Sequence, residues 1–528
     1  MCGIFAYSGK TLGWDDLKTH ADKIQYRGPD NSIVKMVGED IMFAFHRLAI
    51  VGTTAAGNQP LFHPEDKRIS LVCNGEIYNY RKLAVEHGFD LITGSDCEII
   101  LHMYKKFGIE KTVKYLDGVF MFVLYDRQKD ALFAARDPLG VRPGFIGRKG
   151  NETLIASEAK PLTTICDHVD PFKPGYWWQQ ESGKFTQYYF HDTTDLTQTR
   201  EVDILDGIRS RLTDAVKKRM MAEREIGSLL SGGLDSSLIS ALVNRYHEGM
   251  PLKTFSIGMP GSVDLDYAQT AADYLGTDHH PIQISEQDFL DAIEIVIYNI
   301  ESYDTTTVRA SVGNYLVSKD IRENSDCKVI FNGDGSDEVT GGYAYMKHAP
   351  TASAFQGECE RLVDEIHRFD VLRSDRSISS NGLEARTPFL DKEFVSYYLS
   401  IPAEQKMFDG QKRMEKHLLR KAFSEMGILP ASVLWRRKCA FSDGVSAKEN
   451  SWHRVLQDFV DNKITDAEFK IESPRFTHCS PILKESYYYR KVFESFFGKH
   501  DNLIPHFWMP RWVETSDPSA RELTGYLE

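Results

Sequence analysis

The chain has no apolar run approaching the roughly 20 residues of a membrane-spanning helix. The segment from Val119 to Tyr125 is among the longest, and it is strand-sized. Its opening, Met1-Cys2-Gly3-Ile4-Phe5, lacks the basic stretch and long apolar core of a secretory signal. Cysteine is scarce: eight residues, at 2, 73, 97, 166, 327, 359, 439 and 479, form no CxxC pair and no regular framework. That spacing excludes a disulfide scaffold and leads us to expect a reduced, cytoplasmic compartment. Positive charge is in deficit, with 63 Lys and Arg against 76 Asp and Glu, a net −13. The deficit argues against nucleic acid or a membrane surface as partner, since both are polyanionic, but leaves room for a local basic pocket. There is no GxxxxGK[ST] loop, so γ-phosphate chemistry of that type is not indicated. No histidines cluster at ligand spacing; His279-His280 read as part of a turn, and a zinc site is not expected. Internal repeats and low-complexity tracts are also missing.

What is present is a globular balance, 42% apolar and 26% charged over 528 residues, enough for two to four domains. Up to about residue 190 the chain is dense in short β-rich runs: Gly3–Tyr7, Ile33–Val37, Ile41–Val51, Ile69–Cys73, Val119–Tyr125, Ala131–Ala135 and Leu154–Ala156. Helical patterns fall around Asp15–Ile24 and Ser95–Phe107. Sheet packed with helices, an α+β or layered domain, is the expected result. Residues 191–202, rich in Thr and Asp, read as a linker. Beyond it, Ile204, Leu205, Ile208, Leu212, Ala215 and Val216 keep helical spacing. Three units of apolar strand, small-residue loop and helix follow: Ile226–Leu230 into Ser231, Thr254–Ile257 into Gly258, and Val329–Phe331 into Asn332. They predict an α/β domain over 203–528 with a doubly wound parallel sheet, whose ligands bind at the carboxyl ends of the strands.

Cys2 follows a Met whose removal a small second residue permits. The chain would then carry a thiol and a free α-amine on one residue, and an α-amine titrates close to neutral pH. Taken alone, a second-position cysteine means little. Here it is followed in order by Arg27-Gly-Pro-Asp30, His46-Arg47-Leu48-Ala-Ile50-Val51, Gln59-Pro60, Asn74-Gly-Glu-Ile-Tyr-Asn79, Gly94-Ser-Asp96 and Arg136-Asp-Pro-Leu-Gly-Val-Arg-Pro143. With these motifs, residues 1–190 resemble the glutaminase domain of class II, N-terminal-nucleophile amidotransferases, an αββα sandwich. The resemblance implies that Cys2 attacks the side-chain amide of L-glutamine and releases ammonia. It implies that Arg47 holds the α-carboxylate by a bidentate pair, and that Asn74 and Gly75 form the oxyanion hole, each donor worth roughly 2.7–4 kcal/mol. Asp96, with Glu76, would take the α-ammonium, and Leu48, Ile50 and Val51 complete the glutamine pocket. Asn74-Gly75 by itself would read as a hairpin turn.

The second motif, Ser231-Gly-Gly-Leu-Asp-Ser-Ser237, ends a strand and opens a helix, presenting N–H groups and hydroxyls to an anion. It resembles the pyrophosphate loop of ATP pyrophosphatases, the adenine nucleotide α-hydrolase-like fold, which split ATP between the α- and β-phosphates. Asp235, and Asp337 in Gly335-Ser-Asp337-Glu338, could share magnesium, which prefers few carboxylates plus phosphate oxygens. A glutaminase joined to such a loop resembles the asparagine synthetase group. Further matches include Leu275-Gly-Thr-Asp-His-His280, Thr306-Thr-Val-Arg309, Gly333–Tyr343, Gly382-Leu-Glu-Ala-Arg386, Lys412-Arg-Met-Glu-Lys416 and Phe441-Ser-Asp-Gly444. This resemblance implies that L-aspartate attacks the α-phosphorus of ATP, and that ammonia crossing an internal apolar passage displaces AMP. Leu229, Ser231, Gly232, Gly233, Asp235, Ser236, Ser237, Ile257, Asn332 and Gly333 match ATP contacts; Thr306 and Arg309 match an aspartate and phosphate patch. Lys438 matches a lysine that neutralises the departing pyrophosphate, although Arg436-Arg437-Lys438 alone is an ordinary basic turn.

Two departures stand out. Asn332-Gly-Asp334-Gly replaces the family's frequent Ser-Gly-Glu-Gly, and Val51-Gly52 replaces Val-Asp. Asp334 is the expected proton acceptor for incoming ammonia, unless it merely caps its turn. An amidotransferase or β-lactam-forming ligase acting on another carboxylate, and a catalytically silent binding protein, are the alternatives. A homodimer is left open.

Overall fold

The computed structural model describes residues 1–192, 194–438, 445–446 and 451–517. The Phe441–Gly444 motif lies outside them. The first domain contains strands β1 (Gly3–Ser8), β2 (Asn31–Met36), β3 (Ile41–Arg47), β4 (Leu61–Phe62), β5 (Ile69–Ile77) and β6 (Gly118–Asp126). It continues with β7 (Ala131–Arg136), β8 (Phe145–Lys149), β9 (Glu152–Ala156), β10 (His168–Pro171), β11 (Tyr176–Gln179) and β12 (Phe185–Gln187). They form two six-stranded antiparallel sheets, ordered β10-β8-β9-β1-β3-β2 and β12-β11-β7-β6-β5-β4.

Alternation along the strands builds the layers. On β5, Ile69, Leu71, Cys73 and Ile77 point outward to a core shared with helix residues such as Leu83, Ile100 and Met103. Val72, from the opposite face, joins Ile4, Ala6, Phe43, Phe45, Met121 and Trp178 between the sheets. On β1, Phe5 and Tyr7 pack outward with Leu17 and Ala21. The result is helix, sheet, sheet, helix. The same parity puts Cys2 on the inter-sheet face of β1 and Asn74 and Glu76 on that of β5.

The second domain opens with a helix, Glu201–Lys218, that begins inside the segment expected to be linker. Its sheet is wholly parallel, ordered β15-β14-β13-β16-β17, with β13 Ile226–Leu229, β14 Lys253–Gly258, β15 Asp278–Gln283, β16 Val329–Phe331 and β17 Glu384–Arg386. Strands run to one side after β13 and to the other side with β16 and β17, so the β13 and β16 loops meet at the switch point.

Several expectations need correction. His279 and His280 lie in edge strand β15, not on a turn. Backbone pairing with β14 overrides their polar character, and the His279 ring sits between the hydroxyls of Thr254 (3.0 Å) and Ser256 (3.1 Å). The run Ile41–Val51 leaves the sheet at Arg47. Leu48, Ile50 and Val51 are apolar because they pack into a core shared with the second domain. Asn74-Gly75, which would read as a turn only if taken by itself, is mid-strand. The helix expected at Ser95–Phe107 runs from Glu98 to Tyr115, across a kink at Gly108.

The domains meet through charge as well as apolar packing. The Arg27 guanidinium contacts Glu158 (2.5 Å) in its own domain and Asp375 (2.9 Å) in the other, and all three side chains are buried. Lys160 pairs with Glu158, while Glu301 accepts from the backbone N–H groups of Ala159 and Lys160 and from Arg376 (2.7 Å). Removing one partner of a buried pair leaves an uncompensated charge, at about 3–5 kcal/mol. Asp375→Ala should therefore shift the denaturant midpoint strongly downward. Arg68→Ala, which cuts an exposed pair with Asp66, should leave it nearly unchanged; urea titration of both variants checks this.

Candidate active sites

The first site forms where β1 faces β5. The Cys2 N–H donates to Asn74 Oδ1 (3.0 Å), and the Cys2 thiol lies 3.6 Å from the Leu48 carbonyl. Because Asn74 Oδ1 is engaged, its Nδ2 is fixed on the other side, buried and without a hydrogen-bond partner among the described residues. Such an orphaned donor beside a thiol is what an oxyanion requires. Burial pushes the Cys2 thiol up to about 11, so it would react only with a base to take its proton. The same burial lowers the amino terminus, here on Met1, to about 6. The Met1 amine is thus a free base at neutral pH.

Gly75 is required by close approach. A Cβ there would lie 2.3 Å from the Val119 carbonyl oxygen and 2.6 Å from Phe120 Cα.

Charge around the thiol is unbalanced in two places. Arg47 is buried, and its guanidinium donates to the carbonyls of Gly52 and Thr54 (2.7 Å) and to Asn58 Oδ1 (2.6 Å). No carboxylate pairs with it among the described residues, so its positive charge is left for an anion. Asp96 and Glu76 are buried carboxylates. Asp96 accepts from the Ile77 N–H (2.6 Å), and Glu76 Oε2 has no hydrogen-bond partner among the described residues. Burial pushes Asp96 up to about 6 and raises Glu76 well above the carboxylate range, with Glu384 and Asp96 adding to the Glu76 shift. An arginine without a counter-ion and two carboxylates seeking a cation suit the two ends of an amino acid.

The second site is a cavity of about 320 Å³ at the switch point of the parallel sheet. Leu229, Ser231, Gly233, Asp235, Ser236, Ile257, Asn332, Gly333, Asp334, Asp337, Thr306, Arg309 and Lys438 line it; Gly232 and Ser237 do not. Within the loop, the Ser231 and Ser236 hydroxyls contact each other (2.9 Å). A Cβ on Gly333 would come within 2.7 Å of the Ser236 nitrogen, so only glycine lets the β16 loop close on the β13 loop. Thr306 Oγ1 is buried with no hydrogen-bond partner among the described residues. Asp334 reaches Arg373 at 3.8 Å, and Arg373 is tied to Asp370. Arg309 is not free for a phosphate: its guanidinium already holds Glu485 (2.6 and 2.7 Å) and Asp517 (3.0 and 3.1 Å).

One residue of this site drew no role from the sequence. Lys416, buried, places its ammonium 2.6 Å from Asp235 and 2.7 Å from Asp337, and Lys438 also pairs with Asp337. The two lysines hold Asp337 far below the usual carboxylate range despite its burial. Nothing in the basic run Lys412–Lys416 distinguishes Lys416; only the tertiary fold brings it opposite the two carboxylates.

The comparisons with known proteins settle the family. A family model described as "Glutamine amidotransferase domain" matches residues 1–196, and one described as "Asparagine synthase" matches 207–357 and 347–517. "Asparagine synthetase [glutamine-hydrolyzing]" of Gallus gallus is 42% identical over 100% of this chain and 99% of that protein. The chain belongs to the glutamine-hydrolysing asparagine synthetase family. Family members of the same name from Rattus norvegicus (42%) and Homo sapiens (41%) match with the same coverage. Among solved structures, the allosteric regulatory enzyme of purine biosynthesis matches 53% of this chain and 80% of that one, at 17% identity and TM-score 0.32. No helix among the described residues is long and apolar enough to cross a membrane.

Asn74→Ala tests the first site's geometry. It removes the orphaned Nδ2 donor and should leave the protein folded by circular dichroism, yet cut glutamine hydrolysis about 100-fold or more, since one oxyanion donor contributes about that much.

Proposed function

We propose that this protein makes L-asparagine from L-aspartate, using L-glutamine as nitrogen donor and ATP to activate the carboxylate, with glutamate, AMP and pyrophosphate as the other products. One observation carries the reading. A half-buried thiol stands beside an orphaned amide donor, in a domain that also buries an arginine without a carboxylate and two carboxylates raised by their burial, and the chain holds a serine-lined nucleotide cavity.

With Met1 removed, the α-amine of Cys2 accepts the thiol proton, and the thiolate attacks the glutamine side-chain amide. Asn74 Nδ2 and the Gly75 N–H stabilise the oxyanion. Arg47 binds the α-carboxylate, and Asp96 with Glu76 binds the α-ammonium. Leu48, Ile50 and Val51 wall the pocket on the side of the second domain. The ammonia released stays neutral because the interdomain core, including Leu48, Ile50, Val119, Leu139 and Val141, penalises a charged ammonium.

In the second site the Ser231–Ser237 loop receives the phosphates, Leu229 and Ile257 flank the adenine, and Asn332-Gly333 closes over the α-phosphate. Asp334 orients ammonia and accepts its proton, and Lys438 compensates charge on the leaving pyrophosphate. Thr306 offers its unpartnered hydroxyl to aspartate; Arg309 contributes directly only if Asp517 gives way. Asp235 and Asp337 would hold magnesium, which suits few carboxylates plus phosphate oxygens, once the Lys416 ammonium that now bridges them moves aside. Bound there, magnesium would supply charge compensation for the phosphates. The domains are taken as 1–190 and 203–528, and the compartment as cytoplasmic.

Cys2→Ala should abolish glutamine-driven synthesis and keep ammonium-driven synthesis near the parent rate, because the two chemistries occupy separate domains. Loss of both in a folded variant would remove Cys2 from a glutamine-specific role. The glutaminase should also carry the pH signature of Asp96. Above about 6 the carboxylate is charged and binds the α-ammonium; below that it is protonated and does not. Glutaminase kcat/KM should fall as pH drops through about 6 in the parent. In Asp96→Asn it should be low throughout and fall less steeply, keeping only the fall that protonation of the α-amine base imposes, as steady-state hydrolysis profiles would show.

A further inference from the structure

The two sites share one residue. Arg386 lies on β17, the three-residue edge strand of the second domain's sheet, and is buried. Its backbone carbonyl accepts the Asn332 N–H (3.0 Å), the first residue of the loop over the α-phosphate. Asn332 in turn accepts the Asp334 N–H on its own side chain (3.3 Å). The Arg386 guanidinium points the other way, across the domain boundary. Its Nε donates to Glu384 (2.9 Å), and its Nη1 donates to the carbonyls of Met221 (2.7 Å) and Arg219. Its Nη2 sits 2.8 Å from Glu384 and 3.6 Å from Glu76, yet donates a well-aligned hydrogen bond to neither.

We propose that Arg386 is a positioning residue that couples the glutamine pocket to the adenylating loop, its guanidinium reporting on Glu76 and its carbonyl setting Asn332 and Asp334. This rests on the assignment of glutamine to the first site and ATP to the second. The contact with Glu76 is the adjustable joint. A ligand ammonium beside Glu76 competes with Arg386 for the same carboxylate. The guanidinium then settles onto Glu384 and its 3.6 Å approach to Glu76 lengthens, a change that pulls on a strand of three residues. β17 pairs only with β16, and its other ties run through the buried Arg142, Glu384 and Arg386 side chains, so a change in that charge cluster is carried to Asn332, which is bonded directly to the strand. Coupling of this kind is reciprocal: aspartate and ATP in the second site must alter glutamine binding by the factor that glutamine alters theirs.

The test uses the full chain with Met1 removed. In the parent, aspartate with Mg-ATP should change the KM for glutamine at least about fivefold, the lower end of ordinary coupling between sites. In Arg386→Lys, which keeps a charge for Glu384 but cannot span to Glu76, the change should shrink to within about twofold. Glutaminase activity alone and aspartate-dependent exchange between pyrophosphate and ATP should both persist in that variant. Absence of either activity in the parent would defeat the assigned substrates; a parent with both activities but no effect on KM, or a variant that keeps the effect, would overturn the role of Arg386. If Arg386→Lys does not fold, the parent still decides. Alkylating Cys2 with a diazoketone analogue of glutamine should change hydrogen exchange at the Asn332 amide several-fold, and an unchanged rate would overturn the proposal.

Discussion

Everything that distinguishes this chain from two independent domains depends on burying charge between them. Arg27, Lys160 and Arg142 from the first domain meet Asp375, Glu301 and Glu384 from the second, away from water. Such pairs cost so much to desolvate that they add little net stability, but each cation is tolerated only where its carboxylate is. The network therefore works as a register. It fixes the one relative placement of the domains in which Leu48, Ile50 and Val51 reach the second domain's core. The same placement brings Arg386 opposite Glu76.

Much of the architecture was legible in the sequence because periodicity follows from geometry. The short β-rich runs over β1 and β5 announced the sheets, whereas the alternation that sorts Phe5 from Ile4, and Leu71 from Val72, is seen only once the two layers are in place. The apolar strands β13, β14 and β16 were equally plain, being central and covered on both faces. The edge strands were not. β15 carries Asp278, His279 and His280, and β17 is the charged tripeptide Glu384-Ala385-Arg386. Both owe their extended form to a neighbour's backbone rather than to their own side chains. A strand that borrows its structure leaves no local signal.

The sites divide along the same line. Cys2, Arg47, Asn74 and Asp96 stood out because they fall in short, ordered motifs, and the structure sets Asn74 directly against Cys2. Lys416 and Arg386 did not, although each lies in a quoted motif. Their importance comes from what they face, Asp235 and Asp337 in one case and Glu76 in the other, and those partners are far away in sequence. Arg309 shows the converse. The family resemblance suggested a place beside aspartate and phosphate, but a motif match cannot disclose that Glu485 and Asp517 have already taken its guanidinium.

The position of Met1 has a consequence for the order of events in biosynthesis. Its side chain is buried at 1% exposure, its amine donates to the Leu383 carbonyl of the second domain, and its sulfur touches Arg142. An aminopeptidase cannot reach a residue enclosed in this way. Under the proposed mechanism, removal has to come before the second domain closes over the amino terminus, while the first domain is still alone on the growing chain. A molecule that missed that interval would fold with its nucleophile's amine locked in a peptide bond, and its synthetase site would be left without a glutamine-derived supply of ammonia.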